Sequence, residues 1–332
     1  MAQDAQGNGN IRQGAALAAT GEKTWQNPLV KKGTVKPVMG ETTPFVFKGR
    51  LYRLENWQKF MEIPRGEAGE RYMEDQVRIW DVEADRLVSV ALVGHSFGSA
   101  FVWKDRVYVF SAAHPANSQW RTVTEISLTT SEDLIHWTPP ETVLHAEPGE
   151  HLFNVNVCRG KDQFILLYET DDRRWPAFTF KYCTSQDLRH WQLIPDAVYG
   201  RDKYVGGPAL YYEGDWYYTL YLRDLGGKWE TRITRSRDLI HWEDAPAGRT
   251  FLTFDERRTF QYWQHGVLRT VHEINASDAE LCAWKGKTIV YFNDGDQQSS
   301  GGLQLAEFAG APRELFEAFF SEPDVAKPAS KR

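Results

Sequence analysis

"SEDLIHW" at 131–137, "SQDLRHW" at 185–191 and "SRDLIHW" at 236–242 are three copies of one phrase at nearly equal intervals. Ser, Asp, Leu, His and Trp keep their places in every copy. A catalytic motif is normally used once per site, so this repeated phrase indicates a recurring structural unit. We predict a turn in which Asp accepts backbone N–H bonds and Trp packs between neighbouring repeats. His136, His190 and His241 therefore leave the catalytic candidates.

A second unit recurs upstream of the repeated phrase: an apolar strand, a polar turn with Gly or Asp, and an aromatic-rich strand. This pattern predicts a β-hairpin. Five copies begin at Thr43, Ser99, Asn154, Gly207 and Ala279. Further strand runs follow them at 76–90, 122–137, 178–191, 231–242 and 301–308.

Strand runs with turn signals and almost no helical period predict an all-β chain. Five four-stranded antiparallel units predict a five-bladed β-propeller. Its blades should begin near residues 41, 97, 153, 206 and 278, and residues 25–37 should complete the last blade. "APRELFEAFF" at 311–320 predicts a short C-terminal helix with Pro312 in its first turn. We assign 1–24 to a disordered tail, 25–320 to the single propeller domain and 321–332 to a C-terminal tail.

The composition narrows the classes of function. The net charge is −6 and no basic block occurs, which argues against a nucleic-acid or membrane partner. The three cysteines are widely spaced without a CxxC pair, so we expect buried free thiols. No signal peptide is visible and no apolar run reaches the ~18 residues of a membrane span, so we expect a cytoplasmic protein. The 13 Trp and 14 Tyr residues suit both β-structure and contact with sugar rings.

The repeated phrase and its placement resemble the five-bladed propeller glycoside hydrolases of families 43 and 117 and the related invertases and levansucrases. The resemblance implies hydrolysis of a sugar in the central funnel. Family 43 enzymes typically carry an Asp before Pro on blade one as base, an Asp on a later blade, and a Glu in a Glu-Gly-Pro-like stretch as acid. This chain departs from that pattern: Thr43 precedes Pro44, blade three offers Asn154 and Asn156, and Gly206 stands where the acid would be.

The catalytic candidates follow from topology, because the starts of first strands and the ends of second strands converge on the funnel. Glycoside hydrolysis needs an acid and a carboxylate. When the hairpins are aligned by their turns, Glu41 of blade one and Asp278 of blade five occupy equivalent positions along their strands. Blades one and five are neighbours when the ring closes, so the two carboxyl groups should face each other. Such a pair pushes its pKa values apart. Glu169 is a further catalytic candidate. His95 is another, because in some family 117-like propellers a His is the general acid.

Most substrate-binding candidates lie on the same rim, and Tyr262 and His265 lie in the stretch 257–278. Asn154 and Asn156 are two apart on a strand and should point the same way, towards sugar hydroxyls. We expect the stretch 257–278 to be a long loop that forms a lid or a stacking subsite. A Ca²⁺ ion near the propeller axis is a further expectation. The other substrate-binding candidates are His114, Arg223, Tyr262, His265 and Glu280.

The leading functional prediction is an exo-acting glycoside hydrolase that acts on a short oligosaccharide. A lyase acting on a uronate-containing sugar is the first alternative, with a His or Tyr as base and Arg223 or Arg269 binding the uronate carboxylate. A non-catalytic sugar-binding propeller is the second, because the expected family 43 acids are displaced.

Overall fold

The computed structural model describes residues 25–36, 40–58, 74–113, 122–176, 178–264, 267–297 and 302–321, with only the backbone of 262–264 and 267. Asn27–Ser321 form one compact unit of β-strands with one C-terminal helix in the described part. None of the described helical segments is long and apolar enough to span a membrane.

Most strands form antiparallel sets of four, which we call blades and number in chain order. The N-terminal strand is β1 (Val30–Lys36). Blade one contains β2 (Thr42–Phe47), β3 (Arg50–Trp57), β4 (Gln76–Asp81) and β5 (Arg86–Val93). Blade two contains β6 (His95–Trp103), β7 (Arg106–Ala113), β8 (Glu125–Ser131) and β9 (Glu141–His145). Blade three contains β10 (Leu152–Arg159), β11 (Phe164–Thr170), β12 (Thr179–Ser185) and β13 (Gln192–Tyr199).

The C-terminal half continues the same order. Blade four contains β14 (Gly206–Glu213), β15 (Trp216–Asp224), β16 (Trp229–Ser236) and β17 (Trp242–Asp244). A separate hairpin of β18 (Thr259–Gln264) and β19 (Val267–His272) follows. Blade five contains β20 (Asn275–Trp284), β21 (Lys287–Asn293), β22 (Leu303–Phe308) and the returning β1, and α1 (Pro312–Phe320) comes last.

The blades associate through their first strands. Blades one, two and three are separate sheets, whereas a short parallel pairing of β16 with β20 joins blades four and five into one eight-stranded sheet. Each of the first strands β2, β6, β10, β14 and β20 contacts the next, and β20 contacts β2. β1 pairs with β22, so the N-terminal strand supplies the outermost strand of blade five.

The hairpin turns explain the local folding of these strands. Lys48 and Gly49, which join β2 to β3, have φ of 47° and 72°. Lys285 and Gly286, which join β20 to β21, have φ of 48° and 77°. Positive φ at both central residues is the type I′ geometry, whose twist matches the flanking strands.

Two sequence predictions need correction. The first strands begin at residues 42, 95, 152, 206 and 275, so blade five starts three residues earlier than the predicted 278. The stretch 257–278 is not a long loop: it contains the hairpin of β18 and β19, and its last residues already belong to β20. The β-branched and aromatic residues of this stretch favour strands over a loop.

The repeated phrase connects the third and fourth strands of blades two, three and four. In the first copy, Ser131 Oγ accepts the N–H groups of Asp133 and Leu134, and Asp133 Oδ1 accepts those of Ile135 and His136. His136 Nδ1 lies 2.7 Å from Asp133 Oδ2. The copies at 185–191 and 236–242 make the same contacts. The Asp therefore accepts backbone N–H bonds in a turn, as the sequence predicts, and the histidine side chain adds a contact to the same carboxylate.

The apolar residues of the phrase fill the cores between adjoining blades. The Leu and Trp pairs are Leu134 and Trp137 between blades one and two, Leu188 and Trp191 between two and three, and Leu239 and Trp242 between three and four. Trp242 lies 5.3 Å from the ring of Tyr182 and 5.1 Å from that of Tyr199. Each phrase thus closes one turn and joins two blades.

The C-terminal helix packs on blade four. Leu315, Phe316 and Phe319 are buried, and the ring of Phe316 stacks 4.6 Å from that of Tyr218. Pro312 occupies the first turn, as predicted from the sequence.

We expect Trp242→Ala to lower the free energy of unfolding by about 3 kcal/mol, because it removes a ring packed between two blades. The change is measured by urea denaturation. Ile240→Ala is the matched control, since Ile240 belongs to the same phrase but is 41% exposed, and it should cost no more than about 0.5 kcal/mol. Equal effects of the two variants would contradict the packing role.

Candidate active site

Four first strands contain an irregularity at the same end. The pairing register shifts between Ser96 and Ser99 in β6, between Leu152 and Val155 in β10, between Gly206 and Ala209 in β14, and between Ser277 and Glu280 in β20. A β-bulge of this kind turns a residue out of the ladder and re-aims its side chain. Each of blades two to five therefore has one bulge near the start of its first strand.

The bulges surround one cavity, which encloses about 250 Å³ of empty space including the part open to solvent. Phe97, Gly207 and Asp278 lie inside three of the bulges and have positive φ of 57°, 52° and 52°. The residues that line the cavity are Glu41, Phe97, Gly98, Asn154, Val155, Gly207, Pro208, Asp278 and Glu280. Of the described residues of blade one, Glu41, which precedes β2, lines the cavity.

Glu41 and Asp278, predicted from the sequence to face each other, both line this cavity. Burial raises the pKa of Glu41 well above its usual range, and the negative charges of Asp278 and Glu169 raise it further. Burial also raises the pKa of Asp278, against hydrogen bonds that Ser277 Oγ and Asn293 Nδ2 donate to its Oδ2 at 2.5 and 3.5 Å. The charge of Asp278 therefore favours retention of the proton on Glu41.

Glu169 and Glu280 carry two further carboxyl groups close to this pair. Burial raises the pKa of Glu169 to about 7, although Asn154 Nδ2 and the Gly207 N–H both donate to its Oε2, at 3.1 and 3.0 Å. Burial likewise raises the pKa of Glu280 to about 8. Both carboxyl groups therefore titrate near neutral pH.

Hydrogen bonds to Glu280 explain the position of Asn156. Thr43 Oγ1 donates to Glu280 Oε1 at 2.8 Å, and Asn156 Nδ2 donates to Oε2 at 2.9 Å. Asn156 Oδ1 accepts the N–H of Leu210 at 3.1 Å. The buried Asn156 amide thus braces Glu280, whereas Asn154 lines the cavity.

The remaining predicted residues lie elsewhere. His95 is buried at the start of β6 but is not among the cavity-lining residues; its Nδ1 lies 2.9 Å from the carbonyl oxygen of Val93, and burial lowers its pKa. Arg223 is exposed near the end of β15. His114, His265 and the side chain of Tyr262 lie outside the described part of the chain.

Tyr204 is a site residue that sequence reasoning missed. It precedes β14, and a side-chain carbon on Gly206 would lie 2.9 Å from its hydroxyl oxygen. Burial and the charges of Glu169 and Asp278 raise the pKa of Tyr204, so its phenol stays protonated beside the carboxylates. No motif marks Tyr204, because only the tertiary structure brings its loop to the funnel.

The acidic and histidine side chains of the described ranges bear on the expected Ca²⁺ ion. In the described ranges, no group of three or more His, Cys, Asp or Glu residues is arranged to hold a metal ion. The cavity carboxylates instead accept hydrogen bonds from hydroxyl and amide groups such as Thr43, Asn156 and Ser277. The Ca²⁺ ion near the propeller axis stays a prediction.

Comparison with known proteins identifies the fold. No protein-family model and no curated protein sequence matches this chain. Among solved structures, a thermostable family-43 glycoside hydrolase is 12% identical, with a TM-score of 0.58 over 85% of this chain and 91% of that one. A family 117 glycoside hydrolase from the marine bacterium Zobellia galactanivorans is 11% identical, with a TM-score of 0.56 over 85% and 91%.

A third similar structure is the α-L-arabinanase of Cellvibrio cellulosa complexed with arabinohexaose, 9% identical with a TM-score of 0.56 over 86% of this chain and 99% of that one. The chain therefore has the fold of the propeller glycoside hydrolases of families 43 and 117. The resemblance inferred from the repeated phrase is confirmed at the level of the fold.

The raised pKa of Glu169 predicts a pH-dependent stability. The folded protein holds this proton up to about pH 7, whereas the carboxyl of the unfolded chain titrates near 4.5. The stabilisation is therefore complete below pH 4.5 and is lost as the pH rises towards 7. Glu169→Gln keeps an oxygen for Asn154 and Gly207 but cannot titrate, so the Tm of the variant minus that of the wild type should increase across this window.

Scanning calorimetry over this pH range measures the difference. Glu307→Gln is the control: Lys287 lowers the pKa of the Glu307 carboxyl, so its stabilisation is fully present above pH 4.5 and is lost only at lower pH, and the Tm difference of this variant should stay level between pH 4.5 and 7. A Tm difference for Glu169→Gln that does not change with pH would contradict the assignment.

Proposed function

We propose that this chain is a five-bladed propeller glycoside hydrolase that removes single sugar units from the end of a short oligosaccharide. One observation carries the proposal: Glu41 and Asp278 line the same cavity, and the charge of Asp278 helps to raise the pKa of Glu41. Two carboxyl groups with pKa values driven apart are the groups that glycoside hydrolysis requires. The contacts of the first strands, from β2 round to β20 and back to β2, support the closed five-bladed ring.

The pKa directions assign the roles. Glu41, which retains its proton, donates it to the glycosidic oxygen as the bond to the anomeric carbon breaks. Asp278, whose charge raises the pKa of Glu41 and which therefore ionises first, either takes a proton from the attacking water or attacks the anomeric carbon itself. Glu169 lies beside the pair, and its charge helps to keep Glu41 protonated. Asn154 offers an amide to a substrate hydroxyl from the cavity wall.

The cavity is narrow. Of its empty space of about 250 Å³, which includes open solvent, only about 10 Å³ admits a water-sized sphere, roughly the room that one water molecule needs. A sugar therefore enters only when the side chains of the cavity wall move apart, and a single terminal unit requires less of this movement than several linked rings. The ring of Phe97 on the cavity wall offers an apolar face to that sugar.

The lyase alternative finds less support. A uronate needs a cationic partner, and no Lys or Arg is among the described residues that line the cavity, whereas Glu41, Asp278 and Glu280 are. A phenolate base is disfavoured too, because the pKa of Tyr204 is raised. The sugar-binding alternative predicts sugar binding without turnover, and the following experiment distinguishes it.

We expect Glu41→Gln and Asp278→Asn each to lower turnover at least ~100-fold, because each removes one positioned proton-transfer or nucleophilic group. The assay measures reducing sugar released from a panel of neutral oligosaccharides, and ultraviolet absorbance detects an unsaturated uronate product. Glu141→Gln is the control, since Glu141 is exposed on β9 at the outer edge of blade two. Near-normal turnover of both site variants on a confirmed substrate would refute the assignment.

The pH profile supplies a second test. The negative charge of Glu169 contributes to the raised pKa of Glu41, so Glu169→Gln should lower that pKa. An acid with a lower pKa loses its proton earlier, so the alkaline limb of kcat/KM should move to lower pH. A limb that stays in place or moves to higher pH would exclude Glu41 as the acid.

A further inference from the structure

Blade four supplies backbone, rather than a carboxyl group, to the cavity wall. Its bulge consists of Gly206, Gly207 and Pro208, and no acidic residue stands at this position. Gly207 and Asp278 nevertheless meet here. A Cβ atom on Gly207 would lie 2.2 Å from Asp278 Oδ1 and 3.2 Å from its Cγ. The first distance is far below any van der Waals contact, so the Asp278 carboxyl group fills the space where a side chain of residue 207 would begin.

The opposite side of Asp278 holds the carboxyl group in that place. Ser277 Oγ and Asn293 Nδ2 both donate to Oδ2, which leaves Oδ1 towards Gly207. Asp278 itself has a left-handed backbone, with φ of 52°, inside the bulge of β20. Such a conformation is uncommon for a residue other than Gly and persists only when its surroundings enforce it.

We infer that the carboxylate at the blade-four side of the cavity comes from Asp278 of blade five, a substitution of one blade for another that we call the exchange. Gly207 is a positioning residue, because the absence of a side chain there leaves room for the Asp278 carboxyl group. The catalytic meaning of this exchange rests on the proposed function, whereas the exchange itself is a statement about packing. Any side chain at position 207 displaces the Asp278 carboxyl group. Displacement also moves away from Glu41 the negative charge that helps to keep it protonated.

A double-mutant cycle tests the packing. Gly207→Ala, Asp278→Ala and the double variant are compared by urea denaturation. We expect Gly207→Ala to destabilise strongly in the wild-type background and far less when Asp278 is already Ala. Gly226→Ala is the matched control, because Gly226 also has a positive φ, of 83°, but no atom lies within 4 Å of a Cβ added there. Equal effects of Gly207→Ala in both backgrounds, or an effect no larger than that of Gly226→Ala, would overturn the inference.

A second readout distinguishes positioning from stability alone. Carboxyl ¹³C NMR titration, with the Glu41 signal assigned through Glu41→Gln, reports the pKa of Glu41 without any substrate. Gly207→Ala should lower this pKa as Asp278→Ala does, and Gly226→Ala should leave it unchanged. A Glu41 pKa that is unaltered in Gly207→Ala would overturn the inference, because Asp278 would then have kept its place.

Turnover links the exchange to the proposed function. Gly207→Ala and Asp278→Ala should each lower turnover at least ~100-fold, and the double variant should lose no more than either single variant. Coupled stabilities and a lowered Glu41 pKa in a protein that cleaves no sugar would uphold the exchange and refute the proposed function. Additive losses of turnover on a confirmed substrate would refute the exchange and leave the hydrolase assignment standing.

Discussion

Burial of apolar side chains between adjoining sheets is the constraint on which the rest of this structure depends. A four-stranded sheet has two faces and no core of its own, so each blade is stable only against its neighbours. The repeated phrase meets this need, because its Leu and Trp enter the core between one blade and the one before it. The Asp and His of the phrase hold the turn that aims those two side chains.

The same packing fixes where chemistry can occur. First strands that contact one another bring their ends together, and the bulges at those ends turn residues such as Phe97, Asn154, Gly207 and Asp278 towards one space. Blade one has no such register shift in β2, and it contributes Glu41 from just before the strand. The rigid sheets therefore determine the geometry of the site, and its chemistry depends on which residue each bulge presents.

The electrostatics of the cavity follow from this crowding. Glu169 and Glu280 are buried and Glu41 and Asp278 are half-buried, and no Lys or Arg is among the described cavity-lining residues. Desolvation is the largest cause of the raised pKa of each group, and the negative charge of Asp278 raises the pKa of Glu41, Glu169 and Glu280 further. Protons are held at neutral pH as a consequence, and general acid catalysis requires a carboxyl group in that state.

The sequence alone determined the repeats, the hairpins, the turn role of the repeated phrase and the level of Glu41 and Asp278, because strand alternation and turn chemistry are local properties. The β18–β19 hairpin was missed, because its strand-favouring residues lie outside the repeat of four strands per blade. The positions of Gly207 and Tyr204 were decided by the tertiary structure. A bulge breaks the period of two that sequence reasoning follows, and the approach of Asp278 to Gly207 joins residues of two different blades.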